Sequence, residues 1–180
     1  IAVLVLGFRR AAFSNEAGIG SSAIAHAAVK TKEPLTQGFV AMLEPFIDTV
    51  VVCTITALVI TVTVYDPAML NDGVISGVEL TSAAFASVMP WFPYVLAVVI
   101  MLFAYSTMIS WSYYGLEGFV YMFGASRTSK LIFNTTFCLF VVIGCTTQLT
   151  AVLDFSDAMI FAMALANILA LYVLGPGVKR

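Results

Sequence analysis

The sequence predicts an all-α, polytopic membrane protein, and three observations carry that prediction. Of the 180 residues, 61% are hydrophobic and only 10% are charged, with a mean hydropathy of +1.02. A soluble domain is about a quarter charged, so a water-soluble fold of this composition lacks the polar groups to cover itself. The apolar residues also fall in runs long enough to cross about 30 Å of hydrocarbon as helix. They lack the alternation of barrel strands, and only helices and closed barrels satisfy the backbone in lipid. Finally, charge is segregated between alternate connections.

The first stretch, residues 1–29, is apolar except for FSNEAGIGSS at 13–22 and reads as a broken helix. Four runs follow, at 39–65, 92–116, 131–151 and 157–174. The chain starts at Ile1 inside an apolar run and stops just past another. It reads as one transmembrane fragment, 1–180, incomplete at both ends, with no charged leader and cleavage site. A net charge of −2 gives no electrostatic reason to expect nucleic acid as a partner. Cys53, Cys138 and Cys145 show no CxxC or His-partner spacing and are expected as buried small hydrophobes. No HExxH, GxSxG or phosphate loop occurs, and no cofactor is expected.

The connections at 30–38, 117–130 and 175–180 hold Lys30, Lys32, Arg127, Lys130, Lys179 and Arg180, six of the eight basic residues. Those at 66–91 and 152–156 hold none, but carry Asp66, Asp72, Glu79 and Asp154. The positive-inside rule therefore places 30–38 and 117–130 in the cytoplasm and 66–91 outside. Arg9 and Arg10 fall on the outward half of the first helix, against the rule. Either they snorkel toward headgroups, or they pair with Asp154 or Asp157 as an extracellular gate.

Ionisable groups at membrane depth cost around 2.5–3.5 kcal/mol each on insertion scales. Glu16, Glu44 and Asp48 are the candidates. Glu44 and Asp48, four apart, share one helix face, and Pro45 between them frees a carbonyl. They line a polar, cation-attracting cavity or lie near cytoplasmic headgroups. Asn15 and Glu16 followed by Gly18 and Gly20 point to backbone broken at membrane depth, tolerated only beside protein or water. Transporters place substrate and Na⁺ at such breaks; a small-residue packing seam explains the glycines but not the Asn-Glu pair. In FAYSTMISWSYYG, Thr107 and Trp111 share a face, with Ser106 and Ser110 adjacent. Their hydroxyls suit a hard cation or bond back to helix carbonyls. Asn134, Gln148 and Asn167 are expected as interhelical hydrogen-bond partners, and Trp91, Phe92, Tyr113 and Tyr114 as an interfacial belt.

FRRAAFSNEAGIGSSAIAHAA, QGFVAMLEPFIDTVVVCTITAL, STMISWSYYGLE and DFSDAMIFAMALANI resemble the alanine or glycine:cation symporter family (sodium:alanine symporters) across essentially the whole chain. A mild departure is Ala11-Ala12 after Arg10, where the family usually has a basic residue and then glycine. The resemblance implies a LeuT-type inverted-repeat fold, with this chain as helices six to ten, the second five-helix repeat. It implies Phe13, Asn15, Glu16, Gly18, Ile19, Thr107 and Trp111 around the substrate. It implies Ser14, Glu44, Asp48, Ser106 and Thr107 near sodium. The implied activity is Na⁺-coupled symport of a small neutral amino acid, alanine or glycine, across the plasma membrane. N-terminal helices of the same protein would complete the site. Rival readings are a proton-coupled transporter, a cation channel, and, with Glu16 and His26 as acid and base, an intramembrane enzyme.

Overall fold

The computed structural model describes residues 1–63 and 77–178. Positions 64–76, with Asp66 and Asp72, and the basic pair Lys179 and Arg180 lie outside the described residues. Every regular element among the described residues is helical. They are α1 (Ala2–Asn15), α2 (Ser21–Ala27), α3 (Pro34–Pro45), a π-helical segment (Phe46–Val52) and α4 (Cys53–Thr63). Then come α5 (Val78–Ala86), α6 (Phe92–Phe123), α7 (Arg127–Thr146) and α8 (Leu149–Val178).

Among the described residues four stretches are long and apolar enough to cross a bilayer: Pro34–Thr63, Phe92–Phe123, Arg127–Thr146 and Leu149–Gly177. Their side chains are almost wholly exposed, 0–6% of each apolar window being buried. Among the described residues the buried hydrophobic ones are Ile19, Ala84 and Ile160. Such a surface would collapse or aggregate in water, whereas lipid tails are as apolar as leucine. The architecture is that of a polytopic membrane protein.

The chain divides into two compact units, Ile1–Pro45 with Ser110–Arg180, and Phe46–Ile109. In the first, α1 packs on α8, and α6 meets α7 through Phe119 and Phe133, whose ring centres lie 5.6 Å apart. Gly115 allows that approach, since a Cβ there would meet the Phe133 ring at 2.7 Å. In the second, α4 packs on α5, and Phe85 stacks on Phe92 at 4.3 Å.

Several boundaries differ from the sequence expectation. The helix expected to end at 116 runs on to Phe123, because Glu117 and Gly118 lower hydropathy without stopping a helix. Gly124 does stop it, at φ 88°, with its amide bonded to Val120 O at 2.8 Å. Tyr113 and Tyr114 therefore lie well inside a helix rather than at its end. The expected connection 152–156 is helical, and the break comes at Thr147–Gln148 instead. There the hydroxyls of Thr146 and Thr147 both donate to Ile143 O, at 2.8 and 2.9 Å, competing with the backbone pattern. Thr147 turns extended, at φ −94° and ψ 153°. Within the predicted connection 66–91, residues 78–86 form α5. The three cysteines are free and exposed rather than buried, since apolar runs here turn their side chains outward.

Pro45 has a larger effect than one freed carbonyl. Lacking an N–H, it cannot bond Ala41 O, and the chain after it widens into i→i+5 turns over Phe46–Val52. The four-residue spacing of Glu44 and Asp48 thus crosses a change of helix type. Glu44 closes the α-helical turns and Asp48 lies in the wider ones, within the second unit.

Candidate functional site

The helix of residues 1–29 is broken where its polar decapeptide lies. α1 ends at Asn15, and α2 opens at Ser21. Between them Glu16 adopts the left-handed conformation (φ 55°, ψ 12°), alone among described non-glycine residues. Gly18 and Gly20 also have positive φ, 83° and 100°. A left-handed non-glycine residue costs about 1–2 kcal/mol, so contacts must hold it.

Those contacts come from the decapeptide itself and from α8. The Asn15 side chain, 8% exposed, accepts from the Ala17 amide at 3.0 Å through Oδ1. The Ile19 amide donates to Glu16 O at 3.3 Å. The fully buried Ser21 donates its hydroxyl to Glu16 Oε2 at 2.6 Å, a short, charge-assisted bond. Asn167 Nδ2, from α8, donates to Gly18 O at 3.0 Å. The break is a structured loop whose polar groups are largely spoken for, which meets the condition for irregular backbone at membrane depth.

An open cavity of about 830 Å³ lies against this loop. Asn15, Gly18, His26, Gln37, Glu44 and Asn167, with Ser22 and Thr31, supply polar and backbone parts of its wall. Gln37 Nε2 lies 2.7 Å from His26 Nδ1. With that amide nitrogen donating, Nδ1 is the acceptor, which leaves the ring's Nε2 for another partner. That nitrogen faces Glu44 Oε2 at 3.7 Å. Arg10 of α1 forms an ion pair with Asp157 of α8, Nη2 to Oδ2 2.7 Å, and the Asp157 side chain is only 8% exposed. Of the two partners the sequence left open, Asp157 is the one engaged.

Of the residues expected at the site, Asn15, Gly18 and Glu44 lie on the cavity wall. Ile19 is 2% exposed and packs into the protein beside the loop. Glu16 turns its carboxylate to Ser21. Phe13 and Ser14 are exposed, and Trp111 meets Tyr114 edge-on at 6.0 Å. Asp48, Ser106 and Thr107 belong to the other unit. There Ser106 bonds back to Phe103 O at 2.9 Å, and Thr49 donates to Asp48 at 3.4 Å. Among the described residues no three His, Cys, Asp or Glu side chains converge, so nothing resembles a transition-metal site. The carbonyl, amide, hydroxyl and single-carboxylate oxygens suit a hard cation.

Sequence reasoning missed Gln37 and gave Ser21 and His26 no part in a binding site, whereas Asn167 was expected as an interhelical hydrogen-bond partner and makes such a bond to Gly18 O. Asn167, a lone amide in ALANILA, carried the clearest signal. Gln37 carried little, since it sits in a polar connection.

A model of the sodium:alanine symporter family matches residues 1–180. The chain is 38% identical over 173 residues to the sodium/alanine symporter AgcS of Methanococcus maripaludis, covering 95% of this chain and 37% of that protein. It is 34% identical to the probable sodium/glutamine symporter GlnT of Bacillus subtilis, covering 96% of this chain and 35% of that one. The same identity links it to the amino-acid carrier protein AlsT of Bacillus subtilis, with 96% and 36% covered. The chain thus spans little more than a third of the length of these relatives. No solved structure matches it.

Proposed function

The chain belongs to the sodium:alanine symporter family, and from that premise we propose that its broken helix is half of a binding site for a small neutral amino acid and Na⁺. Family membership makes it part of a multi-pass transporter rather than an enzyme. The observation that carries the site is the loop Glu16–Gly20. It is held by bonds from Asn15, Ser21 and Asn167 while lining an open cavity. In this reading the chain is the second repeat of a LeuT-type fold, helices six to ten. Helices earlier in the protein complete the site.

The mechanism is Na⁺-driven symport by alternating access. Asn15, Glu16 and Gly18 flank the substrate, Phe13 caps it, and Ile19 sets the loop's depth. Trp111 and Thr107 limit the pocket to a small side chain. Ser14, Glu44, Asp48, Ser106 and Thr107 are the sodium candidates. An ion that helps order the loop also favours substrate binding, and by linkage the substrate favours the ion equally. The membrane in this reading is the plasma membrane.

Replacing Glu16 by alanine removes a charge and the Ser21 bond. In the full-length protein, Glu16→Ala is expected to abolish Na⁺-dependent uptake of labelled alanine while insertion stays normal. Undiminished uptake would remove Glu16 from the site. Choline in place of sodium should stop uptake in the wild type, and labelled glutamine is the competitor suggested by GlnT. The His26–Glu44 pair on the cavity wall supports proton coupling as a second reading. Uptake that follows the pH gradient and ignores sodium would select it.

A further inference from the structure

The geometry points to Asn167, on α8, as the positioning residue of the broken helix. It fixes the Gly18 carbonyl, and thereby the substrate-facing loop, from outside the decapeptide. Two independent features carry this. The first is the bond from Asn167 Nδ2 to Gly18 O at 3.0 Å, spanning 149 positions of sequence. A break frees carbonyls that the helix would otherwise use, and this one is taken by a side chain from another helix. The second is contact at Gly20, where a Cβ would stand 3.0 Å from Asn167 Cγ and Oδ1 and 3.1 Å from its Cβ. The Asn167 side chain therefore lies against the loop as well as bonding it, and Gly20 leaves the room for it to do so.

The chemistry calls for an amide at this position. Its nitrogen donates to the carbonyl, and it carries no charge that would compete for a zwitterionic substrate or a cation. An aspartate of the same shape would set a carboxylate against a carbonyl oxygen. The same helix ties down α1 a second time, through Asp157 and Arg10 on the near side of the break. Asp157 and Asn167 are ten residues apart on α8, roughly 15 Å along its axis. Both α1 and the loop are thus referred to α8, so motion of α8 relative to the loop would carry the Gly18 carbonyl with it.

The inference rests on the proposed half-site, and the test separates the two. In the full-length protein, hydrogen exchange is followed in peptides covering 13–22 and in control peptides from α7. Sodium-dependent alanine uptake by reconstituted vesicles is measured in parallel. Asn167→Asp should speed exchange in 13–22 about tenfold or more and leave α7 unchanged. It should raise the half-saturating alanine concentration about five- to tenfold with little change in maximal rate. Asn167→Gln, which keeps the donor, should recover part of both. Unchanged exchange in 13–22 overturns the clamp whatever uptake shows. A fall in maximal rate alone, at constant half-saturation, overturns the positioning role. If Asn167→Asp inserts poorly, Gly20→Ala is compared with Gly18→Ala, which strains the same loop without meeting Asn167, and equal exchange and half-saturation in the two overturn the inference. A wild type that takes up neither alanine nor glycine defeats the half-site reading and leaves the clamp standing on its exchange result.

Discussion

At the scale of single residues, the loop between α1 and α2 balances backbone strain against side-chain bonds. Glu16 would relax elsewhere in an unconstrained chain, yet it stays left-handed because Ser21 holds its carboxylate and Ile19 its carbonyl. Gly18 and Gly20 share positive φ but differ in surroundings. Nothing lies within 4 Å of a Cβ built on Gly18, whereas one on Gly20 meets Asn167. Gly18→Ala should therefore cost only the backbone term, about 1–2 kcal/mol. Gly20→Ala should cost that amount plus about 1–3 kcal/mol for the overlap. Thermal unfolding of the two variants in detergent checks the order. Equal losses would mean that the Asn167 contact does not restrict Gly20.

At the scale of elements, hydropathy told where helix mass lies better than where helices stop. The runs at 39–65, 92–116, 131–151 and 157–174 are legible because each carries enough apolar residues to cross a bilayer. Their ends were not, because Glu117 and Asp154 look like surface residues in composition while helices tolerate both. The true stops are local, Gly124 in a left-handed turn and Thr147 forced extended by competing hydroxyls. The break at FSNEAGIGSS was readable from glycines beside an Asn-Glu pair. Asp157 as one of two partners for Arg10 and Asn167 as an interhelical donor were readable too, but that Asn167 reaches Gly18 O was not, because a contact across well over a hundred residues leaves no spacing in the sequence. Arg10 and Asp157 join α1 to α8 with Asp157 buried and Arg10 partly exposed. Removing one partner of such a pair strands the buried charge. We expect Arg10→Asp and Asp157→Arg each to lose most alanine uptake. The swapped double variant should recover it about fivefold or more over either, a coupling within the usual 0.5–3 kcal/mol for contacting residues. A double variant no better than the worse single would leave the pair without a role in transport.

At the scale of the whole molecule, charge placement and helix physics disagree at one point, and the disagreement identifies what set the charges. The structure shortens the third connection from 117–130 to residues 124–126, so Arg127 and Lys130 fall in the opening turns of α7. A cation there opposes the positive N-terminal end of the helix dipole and costs a few tenths of a kcal/mol or more. Ser126 caps that end, accepting from the Ser129 amide at 3.0 Å, but it cannot neutralise a guanidinium. Helix stability therefore gives no reason for basic residues at this position, whereas the cytoplasmic placement expected from the positive-inside rule would. Lys30 and Lys32 lie in the connection between α2 and α3, the alternate one, and the same bias applies to them. The orientation this implies is testable once Cys53, Cys138 and Cys145 have been replaced by alanine. A membrane-impermeant maleimide applied to intact cells should label Val88→Cys, before α6, and spare Lys32→Cys and Ala125→Cys until the membrane is permeabilised. The opposite pattern would invert the protein in the membrane. Labelling of all three from outside would mean that the Pro34–Thr63 and Phe92–Phe123 helices do not both span, because each must carry the chain to the other face.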